Sequence, residues 1–295
     1  MKDYAYFPGC SLKENSKHYE ESILPVFKAI GHPLEELEDW NCCGATAYFS
    51  VDNDMAAAVC GRNLSLAEKQ GKDILAPCAG CYLTLKKSNL FLQSGAPEAK
   101  KILGDLKRSG CEYQGRSVVK HPLEVLVREI GLDVIRKKVV RKLTGLKVAC
   151  YYGCQVVRPY TDFDDPDHPT SLDALMEALG AEPVDYSAKT RCCGGLLTGT
   201  IENVGLRLNH LLLKEAKRKG ADVIVTVCPL CLFNLELFQD KIIKTYKEDV
   251  RIPILFFSQL MGLALGLSRD DLGFSRSTIP LDAFWAKIRN GGQNV

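Results

Sequence analysis

One pattern of cysteines occurs twice along the chain, and it restricts the possible folds more than any other feature. In each half a single cysteine is followed by a Cys-Cys-Gly triplet and then by a C-x-x-C motif. Between the triplet's second cysteine and the C-x-x-C motif lie 34 residues in both halves, and between the single cysteine and the triplet lie 31 in one half and 37 in the other. A repeat of order, motif and spacing indicates two copies of one structural unit. The first set is Cys10, Cys42, Cys43, Cys78 and Cys81, and the second set is Cys154, Cys192, Cys193, Cys228 and Cys231.

The segments around the cysteines predict short parallel strands that alternate with helices. Apolar runs precede each single cysteine and each C-x-x-C motif, and further strand–helix pairs follow the motifs. The predicted strands are 4–9, 73–77, 117–119, 148–153, 222–227 and 252–257, and the predicted helices are 54–70, 123–130, 202–219 and 260–265. This alternation predicts an α/β fold of two subdomains related by an approximate two-fold, each with a small parallel sheet flanked by helices. The expected domains are residues 1–143 and 144–295, the second with a C-terminal tail.

The cysteines of each set are expected to converge although about seventy residues separate the first from the last, since sites in such sheets collect at the carboxyl ends of the strands. Cys10, Cys78, Cys154 and Cys228 all follow predicted strands. An adjacent cysteine pair needs a turn to aim both thiols at one site, and the glycine after each pair fits that need.

Composition places the chain among globular proteins of a reducing compartment. It is 46% hydrophobic and 25% charged, with a formal charge of +2, so broad affinity for nucleic acid is not expected. The N-terminus lacks a secretory signal, and the longest apolar run, 252–268, is shorter than the roughly 20 residues of a membrane span. A buried strand followed by a core helix is the predicted structure there. The expected location is cytoplasmic, where cysteine-rich chains bind metals or perform catalysis.

Each set has one thiol more than the four that a tetrahedral zinc site or an ordinary iron–sulfur cluster requires. The fifth cysteine is a spare thiol free for chemistry, an inert core residue, or a ligand of an unusual cluster in which some thiolates bridge irons. Its recurrence in both halves weakens the inert interpretation. Cys60, Cys111 and Cys150 have no counterpart in the other half and are predicted to be core or surface residues without a ligand role.

The doubled pattern resembles the cysteine-rich CCG domain, and two such domains in about 300 residues are similar to the B-type subunit of heterodisulfide reductase. Further segments strengthen the resemblance, namely 121–126, 163–173 and 259–266. The resemblance implies the catalytic subunit of a complex that reduces a disulfide to two thiols. In methanogens that disulfide joins coenzyme M to coenzyme B.

The resemblance also implies the cofactors. Each CCG domain would hold a non-cubane [4Fe–4S] cluster on five cysteines, so that all five members of the first set bind one cluster and all five of the second set bind another. Two clusters facing each other across the pseudo-two-fold would each engage one sulfur of the substrate, and two single-electron deliveries would release the thiols.

Electrons must come from a partner, because the chain has neither a ferredoxin-type cysteine run nor a glycine-rich dinucleotide fingerprint. The resemblance implies two partner subunits of the reductase complex, one small and ferredoxin-like and the other flavin-containing, together with a hydrogenase or formate dehydrogenase in some complexes. The C-terminal segment 280–295, which contains Trp285, is a candidate docking surface.

A small anionic disulfide requires a local basic pocket, for which four residues are candidates. Arg158, His168 and Arg191 lie near second-set cysteines or in the second-half insertion, and His121 ends a predicted strand. Solvated or structurally paired side chains are the alternative for the first three, and capping of the following helix is the alternative for His121. The acidic run at 164–167 is expected to be a solvated turn, and His18, His32 and His210 are expected to be structural.

Three other functions remain open from the sequence. The chain is alternatively an electron-transfer subunit of a lactate-, glycolate- or succinate-oxidising complex, which the segment 163–173 and the two complete sets argue against. It is alternatively a zinc-stabilised scaffold, which leaves the fifth cysteine unexplained. A thioredoxin-like role for Cys78 and Cys81 is the third alternative, which the companion cysteines argue against.

Overall fold

The computed structural model describes residues 3–45 and 48–290, and these form two four-stranded parallel sheets. The strands are β1 Tyr4–Tyr6, β2 Glu35–Glu36, β3 Asp73–Leu75, β4 Val119–Lys120, β5 Lys147–Tyr151, β6 Glu182–Pro183, β7 Val223–Thr226 and β8 Ile254–Phe256. The orders are β2-β1-β3-β4 and β6-β5-β7-β8, so the two sheets have the same topology. The predicted α/β fold with two repeated parallel-sheet units is thereby confirmed.

Helices connect and cover the strands. They are α1 Gly9–Lys13, α2 Lys17–Ala29, α3 Tyr48–Val51, α4 Asn53–Lys69, α5 Ala79–Gln93, α6 Pro97–Arg108, α7 Pro122–Glu124, α8 Leu132–Lys138, α9 Ser171–Ala178, α10 Leu197–Thr200, α11 Glu202–Arg218, α12 Pro229–Leu237, α13 Gln239–Tyr246, α14 Phe257–Ala264 and α15 Asp282–Asn290. A seven-residue π-helix, Val125–Gly131, lies between α7 and α8, and two 3₁₀ turns, Asp270–Leu272 and Phe274–Arg276, precede α15.

The central strands are buried along almost their whole length, as expected for parallel strands covered on both faces. All residues of β1, β3 and β7 are buried, β5 is buried except for Lys147, and the outer strand β8 is buried as well. Strand β1 pairs with β3 through Ala5 and Ile74, and β5 pairs with β7 through Ala149 and Ile224. The neighbouring carboxyl ends of each pair therefore form one edge in each sheet.

Local sequence signals define both ends of α4 and the end of α11. The Asp52 carboxylate accepts hydrogen bonds from the amides of Asp54 and Met55 at 2.9 and 3.0 Å and so caps α4. Gly71 and Gly220, with φ of +68° and +73°, follow α4 and α11 in the left-handed conformation that ends a helix. The apolar run 252–268 forms strand β8 and the buried helix α14, as predicted.

The compact units do not coincide with the sequence halves. The first unit comprises the described parts of Met1–Asn15 and Leu34–Val125, and the second comprises those of Ser16–Pro33 and Leu126–Val295. Helix α2 therefore belongs to the second unit although it precedes the first Cys-Cys-Gly triplet. The Tyr19 ring stacks on Phe256 with centroids 4.0 Å apart. The hydroxyls of Ser22 and Ser258 are 2.6 Å apart, so α2 packs against α14 through both apolar and polar contacts.

Candidate metal centres

Each cysteine set lies at the carboxyl ends of the two central strands of its sheet. In the first unit Cys10 lies in α1 directly after β1, and Cys78 precedes α5 directly after β3. In the second unit Cys154 follows β5, and Cys228 precedes α12 after β7. The C-x-x-C motif thus spans a strand-to-helix turn in both units, which brings both of its thiols to the same edge.

The first set is joined by sulfur–sulfur contacts. Cys43 Sγ is 3.3 Å from Cys81 Sγ, and the Gly44 amide donates to Cys42 Sγ at 3.4 Å. All thirteen thiols of the chain are free, and a disulfide would require about 2.05 Å between sulfurs. Cys43 therefore contacts the C-x-x-C motif without forming a covalent bond.

The second set repeats these contacts and adds one. Cys193 Sγ is 3.6 Å from Cys231 Sγ, and the Gly194 amide donates to Cys192 Sγ at 3.3 Å. In addition, Asn234 Nδ2 donates to Cys193 Sγ at 3.4 Å. Gly194, with φ of +95°, supplies the turn that the adjacent pair needs, as Gly44 does at +73° in the first unit.

Burial divides each set in the same way. The second cysteine of the triplet and both cysteines of the C-x-x-C motif are buried, namely Cys43, Cys78, Cys81, Cys193, Cys228 and Cys231. The single cysteine and the first cysteine of the triplet reach solvent: Cys10, Cys42 and Cys192 are exposed, and Cys154 is partly exposed. Each site consequently has a buried floor of three thiols and an open edge of two.

A glycine lies against the buried floor in both units. A Cβ built on Gly9 would be 2.7 Å from Cys81 Sγ, and one built on Gly153 would be 3.1 Å from Cys231 Sγ. Both glycines adopt positive φ, +68° and +67°. The backbone therefore comes close to a buried thiol in both units, closer at Gly9 than a residue with a Cβ allows and tightly at Gly153.

Neighbouring thiols change one another's acidity. Hydrogen bonds from Cys42 and Cys81 lower the pKa of Cys43, and hydrogen bonds from Cys154 and Cys193 lower the pKa of Cys192. Contacts within each set therefore favour ionisation of one thiol of the adjacent pair. The thiolate is the form of cysteine that binds metal.

The donor set of each site consists of cysteine thiols. Among residues 3–45 and 48–290, no three or more His, Cys, Asp or Glu side chains are grouped so that they could hold one metal ion. Thiolates are soft ligands, and cysteine thiolates are the usual ligands of iron–sulfur clusters. The chemistry of the ten cysteines therefore suits the expected cofactor, and their ligation of it stays a prediction.

Two of the predicted substrate-binding residues lie beside the second set in the chain. Arg158 Nη2 donates to the carbonyl of Thr190 at 2.8 Å, which ties the segment after Cys154 to the segment before Cys192. Arg191 is exposed, and its carbonyl accepts a hydrogen bond from the Tyr151 hydroxyl at 2.6 Å. Substrate contact by either guanidinium remains a prediction.

The two predicted histidines have different surroundings. His168 is exposed in a turn where the Asp165 carboxylate accepts from the amides of Asp167 and His168, at 2.8 and 2.6 Å. His121 is fully buried; its Nδ1 accepts from the Leu123 amide at 3.2 Å, and its Nε2 lies 2.9 Å from the carbonyl of Pro77. It caps α7 and contacts the residue before Cys78, while substrate binding by His121 and His168 stays a prediction.

Two pairs of equivalent residues were not anticipated from the sequence. The Cys60 thiol donates to Cys43 O at 3.1 Å, and Asn209 Nδ2 donates to Cys193 O at 3.0 Å. Asn234 and Thr84 form the second pair, because each stands three residues after the last cysteine of its set. Cys60 and Asn209 make the equivalent contact although they stand one position apart in the cysteine alignment.

The remaining candidates are two further cysteines and the C-terminal segment. Cys150 is fully buried in β5 and Cys111 is partly exposed. Trp285 of the segment 280–295 packs at 4.9 Å between ring centroids against Phe274, and residues 291–295 of that segment are outside the described residues. Over the ranges 3–45 and 48–290, no helix is long and apolar enough to span a membrane.

Comparison with known proteins places both units in one family. The family model of the cysteine-rich CCG domain matches residues 4–86 and 148–236. The membrane anchor subunit of 8-methylmenaquinol:fumarate reductase from Wolinella succinogenes is 34% identical over 281 residues, which cover 95% of this chain and 98% of that subunit. The B-type subunit of the ferredoxin:CoB-CoM heterodisulfide reductase from Methanosarcina mazei is 34% identical over 295 residues, covering 98% and 97%.

A solved structure shares the fold. A hypothetical protein from Helicobacter pylori superposes with a TM-score of 0.70 at 15% sequence identity, over 92% of this chain and 51% of that one. The chain therefore spans about half the length of that protein, and the likeness concerns the fold alone.

Proposed function

The chain belongs to the CCG-domain family that includes the B-type subunit of heterodisulfide reductase, and from that premise we propose that it reduces a small anionic disulfide to two thiols at two [4Fe–4S] clusters. The observation that carries the proposal is the presence of two complete five-cysteine sets with the same buried floor and open edge. The clusters are proposed to be non-cubane, because five thiolates per site exceed the four of an ordinary cluster.

The open edges suit a substrate that approaches from solvent. Cys10 and Cys42 in the first unit, and Cys154 and Cys192 in the second, are the thiols that solvent reaches. The buried floors keep water from the other side of each site. When bound, iron–sulfur clusters supply single electrons, and a disulfide takes up two electrons and two protons as it is cleaved to two thiols.

The electrons are proposed to come from the ferredoxin-like and flavin-containing subunits of a reductase complex. Relatives of this chain are named as subunits of reductase complexes, and this chain's own cysteines are accounted for by the two sets and by Cys60, Cys111 and Cys150. The segment 280–295 with Trp285 remains the proposed docking surface, and Arg158, Arg191, His121 and His168 remain the proposed substrate contacts.

Metal analysis tests the cofactor part of this proposal. Iron, zinc and acid-labile sulfide are measured per chain on anaerobically purified protein, and an EPR spectrum is recorded after oxidation. We expect about eight irons and eight sulfides, as two four-iron clusters require. One or two zincs without sulfide would instead make the chain a structural zinc protein. About four irons would leave one set empty and exclude the use of two clusters.

A second candidate function is electron transfer in another reductase complex, and the fumarate reductase subunit of Wolinella succinogenes favours it. The two functions differ in what oxidises the reduced protein. Stoichiometric release of two thiols from the CoM–CoB heterodisulfide, in the absence of any other acceptor, would support the first function. Re-oxidation by a menaquinone analogue or by a fumarate reductase partner, with no thiol release, would support the second.

A further inference from the structure

The two cysteine sets differ in one buried hydrogen bond to sulfur. Asn234 is fully buried on α12, and its Nδ2 donates to Cys193 Sγ at 3.4 Å. The equivalent residue in the first unit is Thr84, on α5. Within the described ranges of the chain, no side-chain amide is hydrogen-bonded to Cys43 Sγ, the counterpart of Cys193 Sγ.

The orientation of the Asn234 amide is fixed by its other partners. Its Nδ2 also donates to the carbonyl of Gly195 at 2.8 Å, and a carbonyl can only accept. Its Oδ1 accepts from the Thr198 hydroxyl at 2.8 Å. The side chain is therefore held between α10 and the glycine turn, with one N–H directed at the sulfur.

A donor directed at a thiolate sulfur favours the more negative state of that thiolate and of the metal centre it binds. Reduction adds one negative charge to a cluster, so an N–H···S bond stabilises the reduced form more than the oxidised form. Hydrogen bonds to the sulfurs are among the factors that set the reduction potentials of iron–sulfur clusters.

We propose that Asn234 is a positioning residue that raises the reduction potential of the second-set cluster, an effect that the first set lacks because Thr84 replaces the amide. This inference rests on the proposed function in requiring a cluster on each set. The functional consequence concerns the order in which the two clusters are reduced. The second set accepts an electron more readily through this contact, so the two sites are not redundant copies.

Spectroelectrochemical measurement of the holoprotein tests the proposal without substrate. Asn234→Thr installs the residue of the first unit, and we expect it to lower one midpoint potential by about 59 mV, which corresponds to a tenfold change in a one-electron equilibrium. The reciprocal variant Thr84→Asn places an amide beside the first set and is expected to raise the other midpoint. Thr84→Ala, which adds no donor, is the matched control and should leave both midpoints unchanged.

Outcomes separate this inference from the proposed function. Unchanged midpoints in Asn234→Thr, with iron and sulfide at the parent level, would overturn the inference alone, as would an equal shift of both midpoints. Absence of iron and sulfide from the parent protein would overturn both. If Asn234→Thr loses its second cluster, Thr198→Val decides, because it releases the amide but leaves Asn234 in place; it should lower the same midpoint by a smaller amount, and no shift would overturn the inference.

Discussion

Gly9 lies against the sulfur of Cys81, so closely that a Cβ at residue 9 would be 2.7 Å from Sγ. The residue also has φ of +68°, which disfavours any side chain. The position therefore combines two separate demands for glycine, one from the backbone and one from the buried floor of the first set. A glycine elsewhere in the same unit meets only the first demand, and this makes the two effects separable.

We expect Gly9→Ala to empty the first set while the second remains loaded, so that iron falls from about eight to about four per chain. The new methyl group would displace Cys81 Sγ from the site. Gly71→Ala is the control: Gly71 has the same φ of +68°, but nothing lies within 4 Å of its would-be Cβ. That variant should lose about 1–2 kcal/mol of stability through backbone strain and keep all its iron. Equal iron content in the two variants would contradict the requirement for glycine beside Cys81 Sγ.

Cys60 and Cys81 are both buried, yet we expect only Cys81 to bind iron. Cys60→Ser should retain the full iron and sulfide content, because a serine hydroxyl can also donate to Cys43 O, the acceptor of the Cys60 thiol at 3.1 Å. Cys81→Ser should lose the first cluster. Iron and sulfide analysis of both variants checks this, and a loss of iron in Cys60→Ser would make Cys60 a ligand.

Asn209 should tolerate replacement by cysteine, because Cys60 makes the equivalent contact in the first unit. Its amide donates to Cys193 O and to Gly205 O, at 3.0 and 2.8 Å. Asn209→Cys keeps one donor toward Cys193 O and is expected to cost about 1 kcal/mol, whereas Asn209→Leu leaves that carbonyl without its donor and should cost more, up to about 3 kcal/mol. Urea unfolding measures both. Equal costs would mean that the contact to Cys193 O contributes nothing.

His18 should make the protein less stable in mild acid. Burial lowers its pKa from the usual 6.5 to about 4, and neither ring nitrogen has a hydrogen-bond partner among the described residues. Between these two values the unfolded chain binds the proton and the folded chain does not, so stability falls as pH falls. The full loss is on the order of 3 kcal/mol, of which about 1.4 kcal/mol is reached by pH 5.5.

Urea unfolding at about pH 7.5 and about pH 5.5 of the parent and of His18→Leu tests this expectation. The variant should lack the part of the pH dependence that His18 contributes and so lose about 1.4 kcal/mol less than the parent. Identical losses in the two proteins would show that the buried ring does not control the acid sensitivity.

The sequence predicts six of the eight strands and misses one edge strand in each sheet. All six predicted strands are present, because each is an apolar run that follows or precedes a turn. Strands β2 and β6 were not predicted: each has two residues, and Glu35, Glu36, Glu182 and Pro183 give no apolar alternation. Such edge strands form because a neighbouring strand offers free backbone groups, which no local pattern encodes.

The candidate sites show a similar limit. Spacing and repetition were sufficient to identify the ten cysteines as two converging sets, since strand ends determine where they meet. The hydrogen bonds of Cys60, Asn209 and Asn234 depend on how α4, α11 and α12 lie over the loops, and isolated polar residues in helices carry no such signal. The sequence also does not show where α2 packs. An amphipathic pattern predicts that one face of a helix is buried, but not which element covers that face.

One contact of helix α2 can form only late in the synthesis of the chain. The Tyr19 hydroxyl donates to Val227 O across a separation of 208 residues, so its acceptor is made long after it. At translation rates of about 5–20 residues per second, the interval is roughly 10 to 40 s. During that time the Tyr19 hydroxyl lacks this acceptor and α2 lacks its contacts with α14, whereas the residues of the first unit can already pack with one another. A chaperone that shields residues 16–33 is therefore expected to raise the yield of folded protein more than one that acts after release from the ribosome.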